Sequence, residues 1–453
     1  MKTYTLILLS SLLISPMMAE QSARASAPNI ILIMADDMGW KDLHCQGNNI
    51  LRTPNLDRFA AEGVRFTNAY AAAPVCSPTR AALITGLAPA RLHITQHGPD
   101  GKQFWPDDRT IQPPLSDNTL PLARVTLAER MKAVGYATGF FGKWHLGGKG
   151  FYPDNQGFDI NIAGCNLGGT PTYYDPYRIP TLKDRKPGEY LTDRLADETI
   201  QWMEKQKDSP MFICLWTYNP HFPFEAPEEL TAHFKGKEGH GLINPIYGGQ
   251  IEAMDRAIGR VLDHVKTMGI VDNTLVIFTS DNGGWNGATD NRPLRDGKGF
   301  LYEGGLRVPL AIRWPGVTKA GGIKETPVVS MDLTASILDA AGVDIAKDES
   351  LDGESLRSLF DGGSLKRDAI CWNYPHWSFH KGNRPGAAIR MGNDKLIRNY
   401  DDGSLELYDI VADLGEKNNL AAQKTDRANK MNARLQQWLE ETKAGIPTKR
   451  EQK

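Results

Sequence analysis

The chain has 453 residues, 41% of them hydrophobic, with 52 basic and 54 acidic side chains. This length is enough for one dominant domain and a smaller appendage, because single hydrophobic cores stop growing near about 250 to 300 residues. The balanced charge excludes the global field typical of nucleic-acid-binding proteins, so any attraction to an anionic ligand must be local.

The N-terminal residues have the features of a signal peptide. Met1-Lys2 supplies a weak positive start, and residues 6–14 are apolar but too short for a membrane-spanning helix of about 20 residues. Cleavage fits after Ala19 or Ala25. We therefore predict a signal peptide over residues 1–25 and an exported protein, periplasmic or secreted, without stable membrane insertion. The alternative is a buried N-terminal helix, which the absence of an amphipathic period disfavours.

From Asn29 onward, short apolar runs alternate with amphipathic helical patterns, which predicts an α/β fold with a largely parallel sheet. We predict helices at residues 53–63, 126–134, 191–203 and 251–265. We predict strands at residues 30–34, 64–66, 136–141, 211–218 and 275–279. Two irregular segments, 88–121 and 163–188, are interpreted as loops at the rim of a binding crevice.

Four of these strands end in charged or metal-capable residues, which in chain order are Asp36 and Asp37, Lys143 and His145, His221, and Asp281 and Asn282. Open α/β sheets bind ligands outside the carboxyl ends of their strands, so these side chains are expected to meet. The two oxygen-rich pairs, one at each of two strand ends, suit a hard cation such as calcium. An Asp-Asp pair by itself more often belongs to a turn or a helix cap.

The composition changes after residue 359. Short runs at 370–374, 387–391, 395–398 and 406–408 predict antiparallel strands, followed by a closing helix at 428–439. We therefore divide the chain into the signal peptide, a large catalytic domain over 26–360, a C-terminal subdomain over 361–442 and a polar tail over 443–453.

Five cysteines are too scattered for a zinc cluster and too few for a disulfide scaffold: Cys45, Cys76, Cys165, Cys214 and Cys371. Their odd number leaves at least one unpaired in an oxidising compartment, and Cys76 is our candidate for that thiol. Cys214 lies in an apolar run and is expected to be a core residue.

Cys76 opens the sequence CSPTR, continued by AALITG up to residue 86. This block resembles the signature of the type I sulfatases, in which cysteine, proline and arginine occupy alternate positions. Similar blocks are GKWHLG at 142–147, SDNG at 280–283 and KGFLYEGGLRVP at 298–309, and the resemblance extends from residue 28 to residue 409. It implies the alkaline phosphatase superfamily fold, with a central mixed sheet flanked by helices and a smaller C-terminal four-stranded sheet.

The resemblance also implies a metal and a modified residue. One calcium ion would be held by Asp36, Asp37, Asp281, Asn282 and by Cys76 after its conversion to formylglycine by a separate maturation enzyme. The hydrated aldehyde on the metal loses a proton more easily than an ordinary alcohol, so it becomes a nucleophile near neutral pH that attacks the sulfur of a sulfate ester.

The remaining roles follow from the same resemblance. Arg80 is expected to hold the modified side chain, and Lys143 and Lys298 to neutralise the sulfuryl oxygens. His221 is the expected proton donor to the leaving group, with Lys298 as a second candidate, and His145 is expected to assist regeneration of the aldehyde. Without the matched blocks, each lysine or histidine would more often be a solvated or capping group.

Four further residues are hypothesised to bind the substrate: His97, Trp372, His376 and Arg384. Ordinary core packing explains them nearly as well. The leading hypothesis is a sulfuric ester hydrolase acting on a sulfated carbohydrate, similar to arylsulfatases and N-acetylgalactosamine sulfatases. The alternatives are a phosphatase or phosphodiesterase of the same superfamily, which usually needs a second metal, and a non-catalytic glycan-binding protein.

Overall fold

A computed structural model of the chain describes residues 27–97, 105–239, 241–345 and 350–450; the predicted signal peptide lies outside these residues. In chain order, the strands β1 to β16 of this part are Asn29–Ala35, Val64–Phe66, Ala69–Tyr70, Ile111–Gln112, Ala137–Gly142, Ile160–Ile162, Met211–Trp216, Thr274–Ser280, Leu310–Arg313, Gly322–Lys324, Val328–Val329, Ile370–Tyr374, Gly386–Met391, Asp394–Asn399, Leu405–Asp409 and Thr448–Lys449. The helices α1 to α11 are Pro54–Glu62, Cys76–Thr85, Pro89–Leu92, Leu127–Ala133, Leu191–Lys205, Glu228–Thr231, Pro245–Thr267, Glu303–Leu306, Ser330–Ala340, Arg357–Phe360 and Thr425–Glu441.

Eight strands form the central sheet in the order β10-β2-β9-β8-β1-β7-β5-β6. Strand β1 lies between β8 and β7 and is parallel to both. Strand β9 is antiparallel to its neighbours β2 and β8, which makes the sheet mixed. The predicted α/β class with a central mixed sheet is confirmed. The carboxyl ends of β1, β8, β7 and β5 lie at one edge, where the polar residues that follow them converge.

Both faces of this sheet are covered. Alternate side chains of β1 point to opposite faces, so Ile31 and Ile33 enter one hydrophobic core and Ile30 and Leu32 enter another. Helices α5 and α7 contribute to the first core, and α2, α4 and α9 contribute to the second. Burial on both faces explains why the β1 sequence NIILIMA is a continuous apolar run rather than an alternating one.

The C-terminal part contains the antiparallel sheet β12-β13-β14-β15, with α11 packed on one face. This agrees with the predicted four-stranded sheet and closing helix. The predicted polar tail differs from expectation, because β16 pairs with β4 in the first long loop and thereby satisfies backbone groups of both segments. The second predicted loop, 163–188, contains no helix or strand.

Two global features bear on the sequence-based expectations. All five cysteines lie within the described residues and are free thiols. A search of the described helices finds none with the length and hydrophobicity needed to cross a membrane.

Candidate active site

The ends of β1 and β8 bring the two oxygen-rich pairs together. Asp36 and Asp37 follow Ala35, and Asp281 and Asn282 follow Ser280, which is the residue paired with Ala35. The Asp37 backbone N–H donates to Asp281 Oδ1 over 3.1 Å, and Asn282 Nδ2 donates to Asp37 Oδ1 over 2.8 Å. All four side chains are buried. The predicted meeting of these pairs is therefore observed.

Cys76 begins α2 and points at the same cluster. Its Sγ lies 3.6 Å from Asp36 Oδ1 and 4.0 Å from Asp37 Oδ1, and the residue is 0% exposed. Burial raises the pKa of the Cys76 thiol to about 12, although Lys143 opposes the rise. The thiol is therefore neutral at physiological pH, and as an unmodified side chain it is a poor nucleophile.

Arg80 lies one helical turn after Cys76 and so projects from the same side of α2. Its Nη2 donates to Asp281 Oδ2 over 2.7 Å and lies 3.5 Å from Asp36 Oδ1, while its Nη1 donates to the Lys143 carbonyl over 2.7 Å. One buried guanidinium thus ties α2 to the ends of β8, β1 and β5.

Two lysines complete the charge balance. Lys143 Nζ lies 2.6 Å from Asp36 Oδ2, and Lys298 Nζ lies 2.7 Å from Asp37 Oδ1, with both lysines buried. Burial alone would lower the pKa of Lys298, but the Asp37 carboxylate raises it above its ordinary range. Burial likewise acts to raise the pKa of Asp37, and Lys298 reverses this and lowers it. The cluster therefore contains three buried acidic and three buried basic side chains, and burial raises the pKa of Asp36 to about 8 although Lys143 opposes the rise.

Gly142 is needed to place Lys143 correctly. Its φ is +117°, and a Cβ at this position would lie only 1.8 Å from the Trp216 carbonyl oxygen. That carbonyl accepts the backbone N–H of Lys143 over 2.8 Å. The close contact between the ends of β5 and β7 therefore depends on the missing side chain.

The two histidines lie near the cluster. His221 Nδ1 donates to the Phe222 carbonyl over 2.6 Å, so in the neutral ring Nε2 carries the lone pair, and it lies 3.6 Å from Asp37 Oδ2. Burial, together with the nearby Lys298, lowers the pKa of His221 to about 3. His145 has a φ of +58°, and its buried Nδ1 has no hydrogen-bond partner within the described residues. Burial also lowers the pKa of His145 well below its ordinary value.

The donor set suits a hard cation. Ligand atoms of Asp36, Asp37, Cys76 and His221 lie within 4.8 Å of one another, and the amide oxygen of Asn282 faces no hydrogen-bond donor within the described residues although it is buried. An unsatisfied buried oxygen is destabilising unless another group binds it. Carboxylate and amide oxygens are the ligands that calcium prefers. The residues present therefore fit a calcium ion.

The predicted substrate-binding residues fall into different environments. The His97 ring is half-buried and lies 6.4 Å from the ring of His145 and 5.6 Å from that of Phe379. Arg384 is partly exposed and pairs with Asp401.

Trp372 and His376 lie in the interior. Trp372 is 1% exposed and donates its indole N–H to the Ala71 carbonyl, and His376 is 3% exposed with Nε2 2.8 Å from Thr95 Oγ1. The structure thus places both rings in the interior, where they pack against neighbouring residues, and their contact with a substrate stays a prediction.

The sequence analysis did not identify an aromatic pair beside Lys298. Trp285 stacks on Phe379 with ring centroids 4.8 Å apart, and Lys298 Nζ lies 5.7 Å and 5.8 Å from the two rings. Trp285 follows the Asp281-Asn282 pair by only three residues, and this proximity is the signal that could have identified it. Phe379 carries no comparable signal.

A mixed sheet with this cluster at its strand ends is the arrangement of a sulfatase, and the chain belongs to the sulfatase family. The family model described as Sulfatase matches residues 28–343, and that described as N-sulphoglucosamine sulphohydrolase, C-terminal, matches residues 296–445. The protein is accordingly a sulfuric ester hydrolase.

Individual relatives support the same assignment. The chain is 32% identical to a sulfatase of Formosa agariphila, covering 97% of this chain and 94% of that protein. It is 34% identical to the N-acetylgalactosamine-6-sulfatase of Mus musculus, covering 75% and 68% of the two chains. A solved structure of Ps i-CgsB in complex with k-i-k-neocarrahexaose is similar with a TM-score of 0.78 and 29% identity, covering 91% and 93%.

Proposed function

We propose that this sulfatase removes sulfate from a sulfated carbohydrate, using formylglycine made from Cys76 and one bound calcium ion. The observation that carries the proposal is the position of Cys76 Sγ, 3.6 Å and 4.0 Å from two carboxylates in a fully buried site. A neutral thiol interacts only weakly with these carboxylates. A hydrated aldehyde at the same position would present oxygens to a hard cation and to a sulfate ester.

Calcium is the proposed metal, held by Asp36, Asp37, Asp281 and Asn282. The oxygen-only set of protein side chains and the unsatisfied Asn282 Oδ1 support it. When bound, the ion supplies a Lewis acid that lowers the pKa of the attacking hydroxyl and directs it at sulfur.

The proposed role of Lys143 and Lys298 is to bind the sulfuryl oxygens. Each ammonium group has three donors and uses one or two on an aspartate, which leaves a donor for the substrate. A divalent cation added to three acidic and three basic side chains would leave a local excess of positive charge that attracts an anionic ester. Arg80 keeps Asp281 and the start of α2 in place.

The histidines are proposed to move protons in two successive steps. The bond between sulfur and the sugar oxygen breaks as the new sulfur–oxygen bond forms, and the departing oxygen takes a proton from His221. A sulfate ester next to His221 favours the protonated ring, which opposes the low pKa of the unliganded site. His145 then accepts the proton whose loss restores the aldehyde and releases sulfate.

A carbohydrate is the proposed substrate because named relatives include an N-acetylgalactosamine-6-sulfatase and a structure in complex with a neocarrahexaose. Within the site, His97 beside His145 and the stacked Trp285 offer ring surfaces of the kind that bind sugars. Arg384 is proposed as a further contact, since its side chain is 32% exposed.

Two cellular requirements follow from this proposal. Residues 1–25 are proposed to direct export to the periplasm or the medium. A separate maturation enzyme is the proposed partner that oxidises Cys76.

The test combines peptide mass spectrometry across Cys76 with sulfate release from a panel of sulfated sugars. We expect conversion of the thiol to an aldehyde and release of sulfate from at least one sugar. Cys76→Ala is expected to abolish release, whereas Cys371→Ala, at a half-exposed cysteine of the C-terminal sheet, is expected to retain it. Full activity in protein whose Cys76 is unmodified would contradict the proposed mechanism.

A further inference from the structure

One irregular segment joins the two histidines. We define the bridging segment as residues 165–173. At its start, the Cys165 carbonyl accepts the backbone N–H of His145 over 2.9 Å. At its end, the Tyr173 hydroxyl donates to the His221 carbonyl over 2.8 Å and to the Tyr218 carbonyl over 2.5 Å. The segment is therefore anchored to the backbone of both histidines, which come from different strands.

Between these anchors, two consecutive glycines lie against the two imidazole rings. A Cβ at Gly168 would lie 2.9 Å from Cε1 and Nε2 of His145. A Cβ at Gly169 would lie 2.9 Å from Nδ1 of His221 and 2.9 Å from the carbonyl oxygen of Phe222. Carbon atoms do not approach these groups so closely, so a methyl group at Gly168 must displace the His145 ring or the segment itself, and one at Gly169 must displace the His221 ring, the Phe222 carbonyl or the segment.

Backbone conformation does not explain these glycines. Neither Gly168 nor Gly169 has a φ in the left-handed region, so alanine could adopt the same backbone geometry at either position. The requirement for glycine therefore comes from the space that the two rings occupy.

Hydrogen bonds alone do not fix the orientation of the two imidazole rings. The buried Nδ1 of His145 has no partner within the described residues, and His221 has one close hydrogen bond, from Nδ1 to the neighbouring carbonyl. An imidazole held by so few bonds can turn about its side-chain torsions unless packing prevents it. The glycine backbone supplies that packing for both rings.

We propose that Gly168 and Gly169 are positioning residues that set the orientation of His145 and His221, one glycine for each proton transfer. The proposal rests on the proposed function, and it adds that the two steps are sensitive to different glycines. Gly169 controls proton donation to the leaving oxygen. Gly168 controls the later step in which sulfate leaves the enzyme.

The first experiment compares Gly168→Ala, Gly169→Ala and the control Gly148→Ala on a sugar sulfate and on 4-nitrophenyl sulfate. Gly148 has no heavy atom within 4 Å of a Cβ and no positive φ, so its variant reports the effect of an added methyl group alone. Gly169→Ala is expected to reduce kcat/KM at least about tenfold more on the sugar sulfate, because nitrophenolate leaves without a proton donor.

Gly168→Ala is expected to slow turnover of both substrates equally. Release of the first equivalent of alcohol stays fast, so a burst of alcohol precedes a slow steady state. Equal losses on both substrates for both variants, without a burst, would show that the glycines only support the fold and would overturn the proposal.

A second experiment tests whether each glycine acts through its histidine. In a His145→Ala background there is no ring to displace, so Gly168→Ala is expected to cause no further loss. In a His221→Ala background only the contact with the Phe222 carbonyl oxygen remains, so Gly169→Ala is expected to cause a smaller loss than it does with the ring present. The double variant at Gly168 and His145 also has room for the methyl group, so it folds even where Gly168→Ala alone does not. Additive losses would contradict the proposal.

Crystal structures of Gly168→Ala and Gly169→Ala give a readout that is independent of activity. We expect the neighbouring imidazole to shift by at least a few tenths of an ångström while the cluster around Asp37 stays in place. Unshifted rings would overturn the proposal. If the wild-type protein released no sulfate from any ester, the proposed function would fail, and the ring positions would still decide whether the glycines orient the histidines.

Discussion

Charge pairing at single residues dominates the site. The side chains of Lys298 and Asp37 are both nearly inaccessible to solvent, and each neutralises the charge of the other. Buried pairs of this kind contribute little net stability, but removal of one partner costs about 3 to 5 kcal/mol because the other charge stays buried. Asn282 differs from these residues, since its Oδ1 has no partner within the described ranges. That oxygen therefore provides the sharpest test of metal binding.

We predict that calcium raises the free energy of unfolding, by about 4 kcal/mol at a concentration a thousandfold above its dissociation constant. Asn282→Ala should reduce this stabilisation, because it removes one ligand oxygen, whereas Asn49→Ala at an exposed position should not. Chemical unfolding with and without calcium or chelator measures the effect. An unfolding midpoint that is indifferent to calcium in the wild-type protein would argue against the proposed metal.

At the scale of elements, helix α1 is capped by a residue from another helix. Thr53 at its N-cap makes no side-chain capping bond. Asp255 of α7 instead accepts the backbone N–H groups of Asn55 and Leu56, over 3.2 Å and 2.8 Å. The carboxylate thus satisfies donors that every helix start leaves open and also fixes α1 against α7.

Asp255→Ala is predicted to lower the free energy of unfolding by about 1 to 3 kcal/mol, because it leaves buried N–H groups without an acceptor. Asp263→Ala is a matched control on the same helix. Asp263 is 58% exposed and pairs with Arg58, so its loss should change stability by less than about 1 kcal/mol. Urea unfolding of both variants measures the difference, and equal effects would exclude the capping role.

The same carboxyl predicts a pH dependence. Burial raises the pKa of Asp255 from 3.8 to about 6, so between these values the native state holds a proton that the unfolded state has lost. The contribution of the Asp255 carboxyl to the free energy of unfolding is therefore complete below about pH 4 and is lost as the pH rises through 6. As the pH rises from 4 to 7, the free energy of unfolding of Asp255→Asn should therefore increase relative to that of the wild type by up to about 3 kcal/mol. A constant difference across this range would contradict the assignment.

Gly142 controls how closely β5 approaches β7. Gly142→Ala is predicted to lower the free energy of unfolding by more than about 3 kcal/mol, because it combines positive φ with the contact to the Trp216 carbonyl. Gly150→Ala isolates the conformational part, since Gly150 has a φ of +92° and no heavy atom within 4 Å of a Cβ. Its expected cost is about 1 kcal/mol. If thermal unfolding shows similar losses of stability for both variants, the contact between the added methyl group and the Trp216 carbonyl has relaxed without cost.

For the whole molecule, a buried ionic cluster joins the central part to the C-terminal sheet. Lys395 on β14 lies 3.0 Å from Glu303 Oε1 on α8 and 2.9 Å from Glu416 Oε1, and all three side chains are inaccessible. Glu416 also accepts the backbone N–H of Glu303 over 2.7 Å. The start of α8 therefore depends on Glu416, which lies 113 positions later in the chain.

Lys395→Met is predicted to lower the free energy of unfolding by about 3 to 5 kcal/mol, because two carboxylates lose their shared cation. Lys417→Met, at an exposed position beside Glu416, should have little effect. Calorimetry of both variants measures the loss. Wild-type stability in Lys395→Met would mean that neighbouring arginines neutralise the carboxylates.

The sequence was sufficient to predict the elements that local pattern determines. Strand β1 and its terminal aspartates follow from an apolar run that ends abruptly, and the Cys76 block follows from its motif. The contacts of Gly168 with His145 could not be predicted, because they depend on how a loop without regular structure crosses two strand ends. The hydrogen bond from Trp372 to the Ala71 carbonyl could not be predicted for a related reason, since Ala71 is distant in sequence and pattern does not reveal such packing.

The complete burial of Cys76 also concerns the order of events in the cell. An oxidising enzyme must surround its target thiol, and in the folded chain neither Cys76 nor the adjoining Arg80 presents any surface to it. Under the proposed mechanism, oxidation of Cys76 therefore precedes closure of the sheet edge, and the proposed maturation enzyme competes with folding. A host in which folding outpaces oxidation will accumulate well-folded protein that is permanently inactive, and slower synthesis or a lower growth temperature should raise the active fraction.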